Sequence, residues 1–101
     1  MFTPKYIHLR YYDDRGYPEP FGGATVAYLP ANEERTLYYA SIARCRKDER
    51  YVKKEGRVLS TDRLYNGMRY LVHTDIDLPS AIEDQIMDEL VKVGVFKFWR
   101  Q

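Results

Sequence analysis

Residues 5–12 alternate apolar and polar positions: Ile7, Leu9 and Tyr11 point one way, Tyr6, His8, Arg10 and Tyr12 the other. A period of two over this length predicts a half-buried strand. Asp13-Asp14-Arg15-Gly16 is turn chemistry, and the prolines and paired glycines of Tyr17-Pro18-Glu19-Pro20-Phe21-Gly22-Gly23 predict an irregular loop. Small and β-branched residues over 24–29 predict a second strand, and residues 30–35 form a connection of hairpin length. A third strand is predicted over 36–46, with Leu37, Tyr39, Ser41, Ala43 and Cys45 on one face and Tyr38, Ala40, Ile42, Arg44 and Arg46 on the other. Short connections make these strands an antiparallel meander.

The period then changes. Asp48 is a good N-cap for a helix over about 49–65, closed by Asn66-Gly67. Its predicted buried line is Val52, Gly56, Leu59 and Arg63. A mid-helix glycine costs about 1 kcal/mol against alanine, which is tolerable where the backbone must approach a sheet. A fourth strand is expected over 68–73. Asp77 and Pro79 start a helix over 79–93 with Ile82, Ile86, Leu90 and Val93 as its apolar stripe and Met87 beside it. Gly94 stops this helix, and residues 95–99 read as a short aromatic strand. The order β-β-β-α-β-α-β predicts an α+β domain spanning 1–101, a mostly antiparallel sheet with two helices packed on one face.

Composition narrows the function classes. With 101 residues, 45% of them hydrophobic and 15% aromatic, the chain can bury one modest core. A net charge of +1 makes the whole molecule no bulk polyanion binder. The charge is unevenly spread: from Arg44 to Arg69 there are nine basic residues against four acidic, 9 − 4 = +5, so the remainder sums to 1 − 5 = −4. The single cysteine, Cys45, excludes an internal disulfide and fits a reducing cytoplasmic setting. No apolar run is long enough to cross a membrane. No P-loop, dinucleotide-binding glycine motif or nucleophile elbow is present, so the expectation is a non-enzymatic protein without a cofactor.

Arg44, Arg46, Lys53, Arg57 and Arg63 are the candidate ligand-binding residues, because guanidinium forks and ammonium groups hold phosphates. Pairing with Glu49 and Glu55 at helical spacing is the ordinary alternative for several of them. Arg63 stands apart, since an arginine on a buried line requires a partner or a ligand. His73, Asp75 and Asp77 have the spacing of metal ligands in an extended segment, but the ordinary reading is that His73 ends a strand and Asp77 caps a helix, no second cluster completes a site, and no metal is expected. Interleaving of Tyr6, His8, Arg10 and Tyr12, and of Tyr38 and Arg44, suggests a stacking face for single-stranded nucleic acid. Phe96, Phe98 and Trp99 suggest an interface, and with it a homodimer.

The stretch Ala43-x-Cys45-x-x-Asp48-x-x-Tyr51-x-Lys53-Lys54-x-Gly56-Arg57-x-x-Ser60-x-x-Arg63-Leu64 resembles a pattern of small, mostly uncharacterised proteins of tailed bacteriophages. It departs from that pattern at Ser60, where alanine is usual, and at Tyr51, where phenylalanine is. The resemblance covers about a fifth of the chain and carries over no binding residue. It implies a phage or prophage origin and, by association, host manipulation or defence evasion in the host cytoplasm. The expected function is therefore a binding protein that occupies a host protein or a phosphorylated small molecule; the alternative is a nucleic-acid-binding module using the basic 44–69 face.

Overall fold

The structure is a computed structural model that describes residues 2–75 and 81–94. Alternation in β1 (Lys5–Leu9) sends Ile7 and Leu9 to the core. In β2 (Phe21–Pro30) every residue from Gly22 to Tyr28 is buried, so both faces of this strand are covered. β3 (Leu37–Arg50) follows, then α1 (Lys53–Asn66), β4 (Tyr70–His73) and α2 (Ile82–Lys92). The four strands form one antiparallel sheet in the order β1-β2-β3-β4. The α+β class and the meander of the first three strands are as the periodicity predicts.

Register fixes which side chains share a face. Ile7 pairs Val26, Val26 pairs Ile42, and Tyr38 pairs Val72. Together with Ala24, Tyr28 and Ala40 these residues meet Ile86, Met87 and Leu90 of α2, which form the main apolar core. The opposite face carries Thr25, Ser41 and Ala43, all buried, and receives α1. The two helices thus cover opposite faces of the sheet rather than sharing one. The reason is visible in β2 and β3, whose alternating positions are apolar on one side and small on the other, so neither side can be left to water.

Several boundaries differ from the sequence expectation. β1 ends at Leu9, and β2 begins at Phe21, inside the stretch expected as loop. β3 continues to Arg50 because it bulges. Gly23 pairs Cys45 and Phe21 pairs Arg50, so residues 46–49 lie opposite Gly22 alone. Asp48 sits in this bulge and caps no helix; α1 starts after Val52, which makes no side-chain cap. Gly23 is required at the bulge: its φ is +143°, and a Cβ there would fall 2.7 Å from the Tyr51 ring. β4 begins at Tyr70 rather than Met68. In α2 the buried side chains are Ile86, Met87 and Leu90, while Val93 is exposed. The expected strand over 95–99, the helix start at Pro79, and the interface residues Phe96, Phe98 and Trp99 lie outside the described residues.

The buried line of α1 is also not the apolar one. Ser60 and Leu64 are fully buried and Gly56 lies against Thr25, whereas Val52, Leu59 and Arg63 are exposed. The helix packs its small side, Gly56-Ser60, onto the small residues of the sheet. Ser41 Oγ donates to the Ser60 carbonyl at 2.5 Å, and Tyr6 Oη and Thr61 Oγ1 share a hydrogen bond of 2.6 Å. Polar contacts at this depth hold the helix only because they are satisfied.

Candidate anion-binding site

Tyr51 connects β3 to α1, with its N–H donating to the Pro20 carbonyl at 2.9 Å. Its phenol reaches back over the sheet. Tyr51 Oη lies 2.9 Å from His8 Nδ1 and 3.2 Å from Thr25 Oγ1, and donates to the Ala24 carbonyl at 3.2 Å. Thr25 Oγ1 is itself 3.3 Å from His8 Nδ1. The ring of polar atoms is therefore closed from inside, and the His8 tautomer sets the direction of its bonds.

Cations surround this ring. The Arg10 guanidinium stands 5.1 Å above the centre of the Tyr51 ring and donates to the Glu19 carbonyl at 2.8 Å. Lys53 and Arg57, one turn apart on α1, are both exposed. Burial pushes the His8 imidazole below its usual value, and the charges of Lys53 and Arg57 push it the same way. Burial raises the Tyr51 phenol, against the Thr25 hydrogen bond and the charges of Arg10 and Arg57, which pull it down. None of Arg10, Lys53 and Arg57 forms an ion pair with a carboxylate among the described residues. Arg10 thus stacks on the Tyr51 ring, and Lys53 and Arg57 stand on the neighbouring turn of α1, near enough for their charges to lower the His8 imidazole. Such a cluster offers charge-assisted donors to an anion.

The five candidate cations do not form a single site. Lys53 and Arg57 belong to the cluster just described. Arg63 points to the other side of α1, where Nη1 donates to the Ile42 carbonyl at 2.7 Å, so the partner that its position demands is a backbone oxygen. Arg46 is exposed and committed to its own bulge, with Nη2 3.0 Å from Asp48 Oδ2 and Nε 3.3 Å from Glu49 Oε1. Arg44 is exposed and, by strand alternation, belongs with Ala24 and Ile42 on the α2 side. Arg10 and His8 complete the site but stand some 40 residues away in the chain; their signal was the interleaved Tyr6-x-His8-x-Arg10 pattern, which sequence alone assigns to a stacking face. That face is not open: Tyr6 and His8 lie under α1, and Tyr38 is buried on the other side.

Cys45 is a half-buried strand residue whose thiol donates to the Glu49 carbonyl at 3.2 Å, closing the bulge. His73 ends β4, and the Asp75 N–H donates to Gln85 Oε1 at 2.7 Å; Asp77 lies outside the described residues. Among the described residues no three histidine, cysteine or acidic side chains come together, and no helix is long and apolar enough to cross a membrane. Compared with protein families, curated proteins and solved structures, the chain matches none.

Proposed function

We propose that this chain is a small non-enzymatic binding protein whose ligand is a phosphorylated small molecule, held by Arg10, Lys53 and Arg57 beside His8 and Tyr51. The observation that carries the proposal is the Arg10 guanidinium stacked on Tyr51 beside the hydrogen-bonded His8–Tyr51–Thr25 ring, with Lys53 and Arg57, which have no carboxylate partner among the described residues, exposed on the adjoining helix. Phosphate oxygens would accept from the Arg10 and Arg57 guanidinium groups and the Lys53 ammonium group. The resemblance of residues 43–64 to tailed-phage proteins supports placing this binding in host modulation, in the host cytoplasm, as part of the same proposal. A small ligand is favoured over a nucleic-acid strand because helices cover both faces of the sheet and leave no stacking platform there.

Calorimetric titration with inorganic pyrophosphate tests this. Saturable binding that disappears in Lys53→Ala/Arg57→Ala and persists in Arg46→Ala is the expected result. Absence of binding heat, or equal binding by the double variant, overturns it. Binding of a single-stranded oligonucleotide with a steep fall in affinity as salt rises would move the assignment to nucleic acid.

A further inference from the structure

One arrangement of hydrogens alone puts a hydrogen on every contact of the His8–Tyr51–Thr25 ring. The Ala24 carbonyl, 3.2 Å from Tyr51 Oη, only accepts, so the phenol hydrogen lies on that contact. Thr25 Oγ1 then donates to Tyr51 Oη across their 3.2 Å. Both hydroxyl hydrogens point away from the imidazole. The 2.9 Å contact of His8 Nδ1 with Tyr51 Oη therefore takes its hydrogen from Nδ1, which shares it with Thr25 Oγ1 at 3.3 Å. This makes His8 the Nδ1–H tautomer.

The lone pair of the neutral ring sits on Nε2, across the imidazole from Thr25 and Tyr51. His8 is half-buried, and among the described residues its Nε2 has no hydrogen-bond partner. Tyr6 stacks on the ring from the same strand, Tyr51 and Arg10 stand beside it, Lys53 and Arg57 act on it from α1, and β2 contributes Thr25. No carboxylate acts on it. Burial and the two cations hold the imidazole below its usual 6.5, so His8 is neutral above that pH. A group that only accepts thus stands beside Arg10, Lys53 and Arg57, which only donate.

We propose that His8 Nε2 sets the ligand class of the anion site: it accepts a hydrogen bond from an oxyanion that brings its own proton, as a terminal phosphate does and a sulfate or phosphodiester does not. This selectivity rests on Arg10, Lys53 and Arg57 being the anion site proposed above. A phosphomonoester gives up its last proton at about pH 6, so near neutrality a P–O–H group is still present to meet Nε2. Sulfate and phosphodiesters are fully ionised. Their oxygens would set lone pair against lone pair at Nε2 and leave that contact without a hydrogen. Charge alone ranks the two tetrahedral anions the other way, because sulfate has the same shape as phosphate and the fuller negative charge. A preference for phosphate is therefore the mark of the Nε2 lone pair.

The test is calorimetric displacement of inorganic pyrophosphate from the full chain by inorganic phosphate and by sulfate, at about pH 7.5, where His8 is neutral and phosphate keeps a P–O–H. Phosphate should compete at least about tenfold better than sulfate. His8→Gln, whose amide can donate to either anion, should bring the two within about threefold, chiefly by improving sulfate, with circular dichroism confirming its fold. Nitrogen NMR of the wild-type chain, with the His8 signals assigned by their loss in the variant, should show a hydrogen on Nδ1 and none on Nε2. Phosphate that competes no better than sulfate, an unchanged preference in folded His8→Gln, or a hydrogen on Nε2 of the neutral ring would each overturn the proposal while leaving the anion site in place. Pyrophosphate that fails to bind removes the anion site itself, and the selectivity with it.

Discussion

Gly56→Ala separates the packing account of α1 from simple helix propensity. A Cβ built at Gly56 would lie 2.9 Å from Thr25 Cβ and closer still to Thr25 Oγ1. Thr25 is fully buried in the second strand and engaged with His8 and Tyr51, so it has no free direction in which to move. The helix must lift instead. Overpacking of this kind costs about 1–3 kcal/mol. Lifting also strains the Ser41–Ser60 and Tyr6–Thr61 hydrogen bonds, each worth about 1 kcal/mol. Alanine returns about 1 kcal/mol through its helix propensity. The net expectation is destabilisation by about 2 kcal/mol. At about 4–8 °C per kcal/mol for a domain of this size, the melting temperature should fall by about 8–16 °C. Urea unfolding followed by circular dichroism should show a lower midpoint with an unchanged m-value. In Thr25→Ala/Gly56→Ala the destabilisation should be less than the sum of the two single variants by at least about 0.5 kcal/mol, because the clashing oxygen is gone. A Gly56→Ala midpoint above wild type, which propensity alone requires, would refute this account of the packing.

Two further predictions rest on side chains at opposite faces of the sheet. The folded-state pKa of His8 lies below its usual value of 6.5, so on acidification the unfolded chain takes up this proton first. Stability should therefore be highest above about pH 6.5 and fall as pH drops from there toward the folded pKa; His8→Gln should lose this component, and a variant that keeps the full pH dependence of the urea midpoint contradicts it. Tyr28 Oη donates to Glu83 Oε2 at 2.6 Å, with burial foremost and then this bond and charge raising the phenol pKa. Tyr28→Phe should cost about 1.5–3 kcal/mol in urea unfolding at neutral pH, the usual worth of a hydrogen bond to a charged group, and an unchanged midpoint would remove the bond from the account.

Strand alternation and turn residues made the sheet legible, since Ile7, Leu9, Val26 and Ile42 are marked by local period alone. The third strand runs to Arg50, whereas sequence alone ends it at Arg46 because Asp48 carries the local mark of a helix cap. What keeps residues 46–49 in β3 is non-local: Gly22 and Gly23, with positive φ, and the Cys45 thiol on the Glu49 carbonyl. The orientation of α1 departs from the sequence expectation for a similar reason. Apolar spacing pointed to Val52 and Leu59, whereas the sheet beneath offers the small residues Thr25, Ser41 and Ala43. The matching signal was Gly56 and Ser60, four apart on the helix, set against alternating small residues on two strands. Of the candidate site, Lys53 and Arg57 were legible from charge density. Arg10 and His8 join them only through the β1–β2 pairing, and Arg63 leaves them because its guanidinium reaches the opposite edge.

The proposal that Arg10, Lys53 and Arg57 hold a phosphorylated small molecule is tested by native mass spectrometry of the chain purified from bacterial lysate. A small anion that travels with the folded protein, departs on denaturation and is missing from Lys53→Ala/Arg57→Ala is the predicted result. A bare protein mass from fresh lysate, or an anion that the double variant retains, would contradict it.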